Sequence, residues 1–146
     1  MKYVLYSYQG FKSGLNNFTF GMSKQEVHDV LGKEPEYIMD TLEYYDDFRI
    51  DYDTNDRVSA FEFFSWADVV IENVDFHDLK GINLFSVLNN KLNRFIKKCD
   101  NSAKMDDLGI ISLKYGIGTY CEDTDRESSD TIIIFRKGYY DRIYGL

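Results

Sequence analysis

The sequence predicts an α+β fold, with two helices packed on a mostly antiparallel sheet of about six strands. Segments in which apolar and polar residues alternate outnumber the two segments whose apolar residues recur at helical spacing. Short turns join neighbouring strand-like segments, and such turns are compatible only with antiparallel pairing. The chain has 146 residues, the size of one domain, and no linker-like or repeated stretch, so we expect residues 1–146 to form a single domain.

The clearest element is a β-hairpin within residues 41–66. Its first strand has the alternation of a half-buried strand, with Phe48, Ile50 and Tyr52 on one side and Arg49, Asp51 and Asp53 on the other. In the second strand, Phe61 and Phe63 flank Glu62. The turn between the strands, at residues 54–57, contains Asn and Asp, which tolerate left-handed backbone conformations. We therefore expect an aromatic inner face and an acidic outer face.

Two helices are predicted from caps and apolar spacing. Ser23 and Glu26 have the spacing of a capping box, and Gly32 followed by a proline ends this first helix. A second helix is predicted over residues 84–98, with Asn83 as its N-cap, because apolar residues recur there at helical spacing. Other strand-like segments lie at residues 3–8, 18–20, 68–74, 109–114, 117–122 and 131–136, whereas residues 9–17 and 100–107 are expected to be polar loops.

The charge of the chain excludes several classes of partner. The net charge is −8 and the isoelectric point is near 4.7. Nucleic-acid binding needs lysine and arginine to displace counterions from phosphates, and docking on anionic membranes needs positive charge. No stretch approaches the roughly 20 apolar residues of a membrane helix, and the N-terminus lacks a signal-like apolar segment. We expect a soluble, cytoplasmic protein without direct contact to nucleic acid or membrane.

The sequence offers little catalytic apparatus. His77 lies between Asp75 and Asp78, an arrangement that is compatible with a metal ligand set but is typical of a solvated turn. Cys99 and Cys121 have no metal-binding spacing, and we expect two free, unreactive thiols. Carboxylates are so abundant that a close pair of them carries little information about catalysis. We therefore predict neither catalytic residues nor a metal ion or other cofactor.

What remains is an acidic surface that contains aromatic residues. Interfaces favour tyrosine and tryptophan as anchors, while charge steers the partner and sets specificity. The predicted partner-binding residues are the acids Asp46, Asp47, Asp51, Asp53, Glu62, Glu122, Asp123 and Asp125, with Tyr45, Trp66 and Tyr139 as apolar anchors. The alternative is that the aromatic residues form the core and the acids a solvated rim.

The order of several segments resembles a known family. These segments are residues 20–35, with Gly21-Met22-Ser23 at the start of the first helix; the hairpin that ends in Val58, Phe61, Glu62 and Phe63; residues 108–110; residues 115–120; and residues 137–141. The layout is similar to that of immunity proteins of bacterial polymorphic toxin systems, including those of contact-dependent growth inhibition. The resemblance implies a non-enzymatic, cytoplasmic protein that binds and neutralises a cognate basic toxin domain, commonly a nuclease.

Other interpretations of the sequence stay open. The Gly21-Met22-Ser23 helix also occurs in envelope assembly lipoproteins, but their lipoprotein signal is not found in this N-terminus. The chain is also compatible with a general adaptor or regulatory module that binds a cellular protein. A small enzyme with an acidic site is a further alternative.

Overall fold

The computed structural model describes residues 1–122 and 128–141. Within these residues, twelve strands form two sheets, and the fold is α+β with mostly antiparallel pairing. The strands are β1 (Lys2–Tyr6), β2 (Gly10–Ser13), β3 (Asn16–Thr19), β4 (Tyr37–Met39), β5 (Leu42–Tyr44), β6 (Phe48–Tyr52), β7 (Val58–Phe64), β8 (Asp68–Ile71), β9 (Lys104–Met105), β10 (Gly109–Ser112), β11 (Ile117–Tyr120) and β12 (Thr131–Phe135). The helices are α1 (Lys24–Leu31), α2 (Asn89–Cys99) and two 3-10 segments, Val74–Leu79 and Leu84–Ser86.

The two sheets differ in size and topology. The small sheet has the order β3-β2-β1-β8, and its β1–β8 pair is parallel. The large sheet has the order β4-β5-β6-β7-β12-β11-β10-β9, and all of its pairs are antiparallel. It therefore consists of two four-stranded meanders that meet where β7 pairs with β12.

Aromatic side chains of both sheets form the core. Tyr3 and Phe11 of the small sheet contact Phe48 and Phe63 of the large sheet, with ring centroids 5.1 to 5.8 Å apart. Such contacts are typical of edge-to-face and tilted aromatic packing. The predicted inner face of the β6–β7 hairpin is confirmed, because its alternating aromatic and aliphatic residues are buried while Arg49 and the acids between them are half-buried.

Helix α1 is confirmed with its caps. The Ser23 hydroxyl accepts from the backbone N–H of Glu26, whose carboxylate accepts from the N–H of Ser23, and Gly32 closes the helix at a φ of 67°. Val27 is the buried residue of this helix. Helix α2 packs on β10, and the Thr119 hydroxyl on neighbouring β11 donates to the side-chain oxygen of Asn93.

The second helix does not begin where the sequence predicts. Asn83 caps the 3-10 segment Leu84–Ser86, and α2 begins at Asn89 after two extended residues. The Asn83 side-chain oxygen accepts from the backbone N–H groups of both Phe85 and Val69, which joins this turn to β8. Leu84 and Phe85 of this turn are both buried in the core, and α2 begins only after the turn has ended.

The large number of strands is a correction to the predicted count of about six. The predicted polar loop at residues 9–17 contains β2, its whole turn to β3 and the first two residues of β3, and Phe11 stacks on Phe18 at 4.7 Å. Strands β4, β5 and β9 were also not predicted from the sequence. These strands have two to four residues, which is too short for a period-2 pattern to stand out from the neighbouring turns.

Candidate protein-binding surface

The large sheet has one open face. Its inner face packs against the small sheet and the helices. On the other side, most outward-pointing side chains are half-buried or exposed, whereas Ala60 and Phe135 are buried, and Phe135 contacts Tyr139 and Tyr140. We call this outer side the open face. One row of directly paired residues crosses it through all eight strands: Tyr37, Tyr44, Arg49, Glu62, Ile133, Gly118, Ile111 and Lys104. The row changes from aromatic at β4, through an ion pair, to aliphatic and then basic at β9.

Four aromatic rings are in contact at the β4 end of the open face. The ring centroids lie 5.4 Å apart for Tyr37 and Tyr44, 6.4 Å for Tyr44 and Phe64, and 5.1 Å for Phe64 and Trp66. Tyr37 is 57% exposed and Trp66 is 68% exposed. We call these four residues the aromatic run. Contiguous exposed apolar surface of this kind is characteristic of binding sites.

Trp66 is held in place despite its exposure. Its Nε1–H donates to the backbone carbonyl of Asp46 at 2.8 Å, and its ring contacts Phe64. The indole therefore already satisfies its polar group and has a defined orientation at the surface. A partner that covers a ring fixed in this way loses little conformational entropy in doing so.

Acidic side chains flank the aromatic run. Glu36 and Asp46 are exposed neighbours, and a hydrogen bond that forms between them when Glu36 is protonated raises the pKa of Glu36 and lowers that of Asp46. Lys33 lies 3.7 Å from Asp46 and adds to the lowering. Glu34 and Asp40 are also exposed in this part of the chain. Four acids and one lysine give this end of the sheet a negative charge.

An ion pair separates the aromatic run from the rest of the open face. Arg49 lies 3.0 Å from the Glu62 carboxylate, and its guanidinium donates to the Tyr44 hydroxyl at 2.8 Å. The same guanidinium lies over the Tyr44 ring, 5.5 Å from its centroid. Glu62 was predicted to bind a partner, but its charge is already balanced by Arg49.

A groove of about 900 Å³ occupies the β9 end of the open face. Ile111 and Ile133 form part of its floor, and Gly118 lies between them on β11. A Cβ at Gly118 would lie 2.5 Å from Ile111 Cδ1 and 3.0 Å from Ile133 Cγ2, so only glycine allows the two isoleucines to approach this closely. Tyr120 and Glu122, the latter predicted to bind a partner, also line the groove.

Three of the predicted acids are engaged within the fold. Asp51 accepts from the Tyr139 hydroxyl at 2.6 Å and from Thr41 at 2.7 Å. Burial, followed by the hydrogen bond to Asp51, raises the pKa of Tyr139. Asp47 accepts from Tyr3 at 2.7 Å. Asp53 accepts from two backbone N–H groups of its own turn and lies 3.7 Å from an Arg136 nitrogen. These contacts give the three carboxylates structural roles.

The prediction of Tyr45 as a surface anchor is wrong, because this residue is 3% exposed and lies in the core. Its hydroxyl donates to Glu43, a buried carboxylate that also accepts from Tyr52 at 2.8 Å and contacts His28 Nε2 at 3.0 Å. Burial and the Glu43 charge raise the pKa of Tyr45 and of Tyr52. The predicted residues Asp123 and Asp125 lie outside the described residues.

The structure thus brings together Asp46 and Trp66 but adds residues that the prediction lacked. Tyr37, Phe64 and Glu36 belong to the same surface. Phe64 could have been found from the sequence, because continuing the period-2 alternation from Glu62 places it on the outer face. Tyr37 carried no such signal, because β4 has only three residues.

The remaining chemical groups were also located. Cys99 and Cys121 are not joined by a disulfide, and burial, followed by the Asp75 charge, raises the pKa of Cys99. Among residues 1–122 and 128–141, no three His, Cys, Asp or Glu side chains lie where they could hold a metal ion together. Asp75 accepts from the Tyr115 hydroxyl at 2.8 Å. In the same part of the chain, every helix is too short or too polar to cross a membrane.

Comparison of the chain with protein families, with curated proteins and with solved structures found no match. The function is therefore inferred from the surface of the chain itself.

Proposed function

We propose that this chain is a non-enzymatic immunity protein that binds and neutralises a basic toxin domain, and that the aromatic run anchors the complex. The observation that carries the proposal is the exposed, hydrogen-bonded Trp66 at the end of four contacting rings. Hot spots of protein interfaces are enriched in tryptophan and tyrosine, and a rigid ring is favoured as an anchor. The run lies on a sheet face, so one partner surface can cover all four rings.

Charge favours a basic partner. The chain carries a net charge of −8, and Glu36 and Asp46 lie beside the aromatic run. Complementary charge raises the association rate, often by orders of magnitude at low ionic strength. Rapid capture suits an inhibitor that must bind a toxin before damage occurs. A nuclease toxin is the favoured target, because proteins that hold nucleic acids are themselves basic.

The proposal is tested with two forms of the protein as bait. The wild-type chain and a W66A/Y37A variant are immobilised, and source-cell lysate is applied to each at low salt. The immobilised proteins are then washed at high salt. We expect the wild-type bait to retain a basic protein at low salt. We expect high salt to weaken its binding, because salt screens exposed charges. Losing an aromatic hot spot costs about 2 kcal/mol or more, which corresponds to at least ~30-fold in affinity. The variant should therefore retain little of this protein.

The captured protein is then expressed in cells. We expect it to arrest growth when expressed alone, and we expect the wild-type chain to restore growth while the W66A/Y37A variant does not. A captured protein that is harmless to cells would contradict the immunity function and would favour an adaptor. Equal capture by both baits would show that the aromatic run is not the interface.

A further inference from the structure

The edge strand β4 is an unusual feature of the large sheet. It pairs only with β5 in the described part of the chain, and its three residues Tyr37, Ile38 and Met39 are 57%, 60% and 43% exposed. An edge strand leaves backbone N–H and C=O groups without partners on its outer side. Natural proteins commonly protect such edges with lysine or proline within the strand. β4 is short, with three residues, but it contains neither lysine nor proline.

Charge opposes the pairing of β4 with a second copy of itself. β4 ends at Met39, and Asp40 begins the turn to β5 at a φ of 53°. A two-fold antiparallel pair centred on Ile38 would still bring Glu36 at one end of β4 near the Asp40 turn of the second copy, and the same repulsion would occur twice. Like charges placed directly opposite each other destabilise a strand pair. Glu36 and Asp40 are both exposed, and Glu36 belongs to the extended segment because its N–H donates to the Tyr44 carbonyl at 2.9 Å.

The same charges favour a strand of opposite sign. We propose that β4 accepts an extended basic segment of the partner protein as an additional strand of the large sheet, an inference that rests on the proposed function and specifies how the partner docks. Strand addition of this kind uses backbone hydrogen bonds for affinity and alternate side chains for specificity. The new strand would lie next to Tyr37, so that it continues the surface formed by the aromatic run.

The register of β4 specifies which side chains this segment should carry. A residue opposite Ile38 lies on the inner side of the sheet edge and should be small and β-branched. Its neighbours face Tyr37 and Met39 on the open face and should be apolar. The residues two positions away in each direction lie beyond the ends of β4, near the exposed acids Glu36 and Asp40, and should be lysine or arginine. The expected pattern is therefore basic, apolar, β-branched, apolar, basic.

The test uses a palindromic peptide, acetyl-Lys-Val-Thr-Val-Lys-amide, so that it presents this pattern in either strand direction. The control is the same peptide with glutamate in place of each lysine. Both are titrated into isotope-labelled protein, and backbone amide shifts are followed by NMR, which detects weak binding. We expect the basic peptide to shift the amides of residues 36–40 and to bind about tenfold more tightly than the acidic one.

Two variants test the site. We expect I38K to abolish these shifts, because it places a positive charge in the middle of β4, whereas L15K adds the same charge at a fully exposed loop position and should have no effect. We expect E36Q/D40N to remove the preference for the basic peptide, while D78N/D107N, which neutralises two other exposed acids, should retain it.

Three results would overturn strand addition at β4: equal binding of both peptides, shifts confined to residues outside 36–40, or undiminished binding to I38K. None of these results would contradict the proposed function, because that function is tested separately by toxin neutralisation and by the W66A/Y37A bait. Conversely, if no toxin is captured but the peptides behave as expected, β4 remains a docking edge for a basic protein of another function.

Discussion

The two ends of the large sheet are built in opposite ways. At the β4 end, the open face carries the aromatic run, the edge strand is apolar, and exposed acids surround it. At the β9 end, the open face is a groove with an aliphatic floor, and the edge strand has only two residues, one of which is Lys104. A short strand with a lysine is a common way to prevent edge pairing.

The comparison of the two ends indicates that exposure alone does not mark a binding site. Both ends expose large apolar residues, but the four contacting aromatic rings and the hydrogen-bonded tryptophan lie at the β4 end. The inner faces differ as well. Beneath β5, the buried Glu43 carboxylate accepts from a tyrosine hydroxyl, whereas at the β9 end the buried Asp100 carboxylate accepts from the Ser112 hydroxyl and Thr119 donates to Asn93.

The largest effect on stability is expected from Glu43→Ala at the β4 end. The substitution leaves the buried hydroxyls of Tyr45 and Tyr52 and the ring of His28 without their acceptor. Unpaired buried groups of this kind cost about 1–3 kcal/mol each, so we expect a loss of at least ~3 kcal/mol. Urea denaturation measures it, with the exposed Glu34→Ala as control. A loss below 1 kcal/mol would show that Glu43 does not support this end.

The next largest effect concerns binding. We expect Trp66→Ala to weaken the complex with the basic partner by at least ~30-fold, and Tyr120→Ala, which removes an aromatic ring from the groove, to weaken it by less than about threefold. Both residues are exposed, so neither substitution should change the free energy of unfolding by more than about 0.5 kcal/mol. Calorimetric titration compares the variants. The reverse order of effects would move the interface to the groove.

A smaller effect is expected on self-association. E36Q/D40N removes the repulsion that opposes pairing of two β4 strands, so we expect its average mass at high concentration to exceed that of the wild-type chain. Lys104→Gln removes the corresponding charge at the other edge, but β9 is too short to pair, and we expect no change. Sedimentation equilibrium measures both variants. Association of the lysine variant alone would mean that the two edges have been assigned the wrong roles.

The smallest effect is a pH dependence at the β9 end. Burial disfavours the Asp100 carboxylate, but hydrogen bonds from the hydroxyls of Ser112 and Ser102 and from the backbone outweigh it and lower the pKa. A lowered pKa stabilises the fold fully above about pH 4, and this contribution is lost as the pH falls further. We expect Asp100→Asn to be about 1 kcal/mol less stable at pH 7 and to lose less stability between pH 5 and 2. An equal loss of stability between pH 5 and 2 in the variant and in the wild-type chain would contradict this.

The parts of the fold that could be predicted have strong local signals. The capping box at Ser23 and Glu26 satisfies backbone groups within one turn, so helix α1 is specified by its own residues. The β6–β7 hairpin is long enough for its alternation to be unambiguous. By contrast, Asn83 caps a turn because of its contact with β8, which is distant in sequence, and no local pattern reveals that contact.

The candidate site was predicted only in part for a related reason. A cluster of acids in the sequence indicates charge but not what each carboxylate contacts, and Asp47, Asp51 and Asp53 bind groups from elsewhere in the fold. Tyr45 was misplaced because it follows β5, whose alternation is inverted: the acid Glu43 points inward and Tyr44 points outward. The partners of the buried Glu43 carboxylate explain this inversion, and they come from α1 and β6.

Trp66 is the only tryptophan in the chain, and it lies at the surface. Its fluorescence in the free protein should therefore resemble that of a water-exposed indole, and unfolding should change the emission wavelength very little. A partner that covers the ring would shift the emission to the blue. The emission wavelength of Trp66 should therefore change very little on denaturation and should respond directly to complex formation.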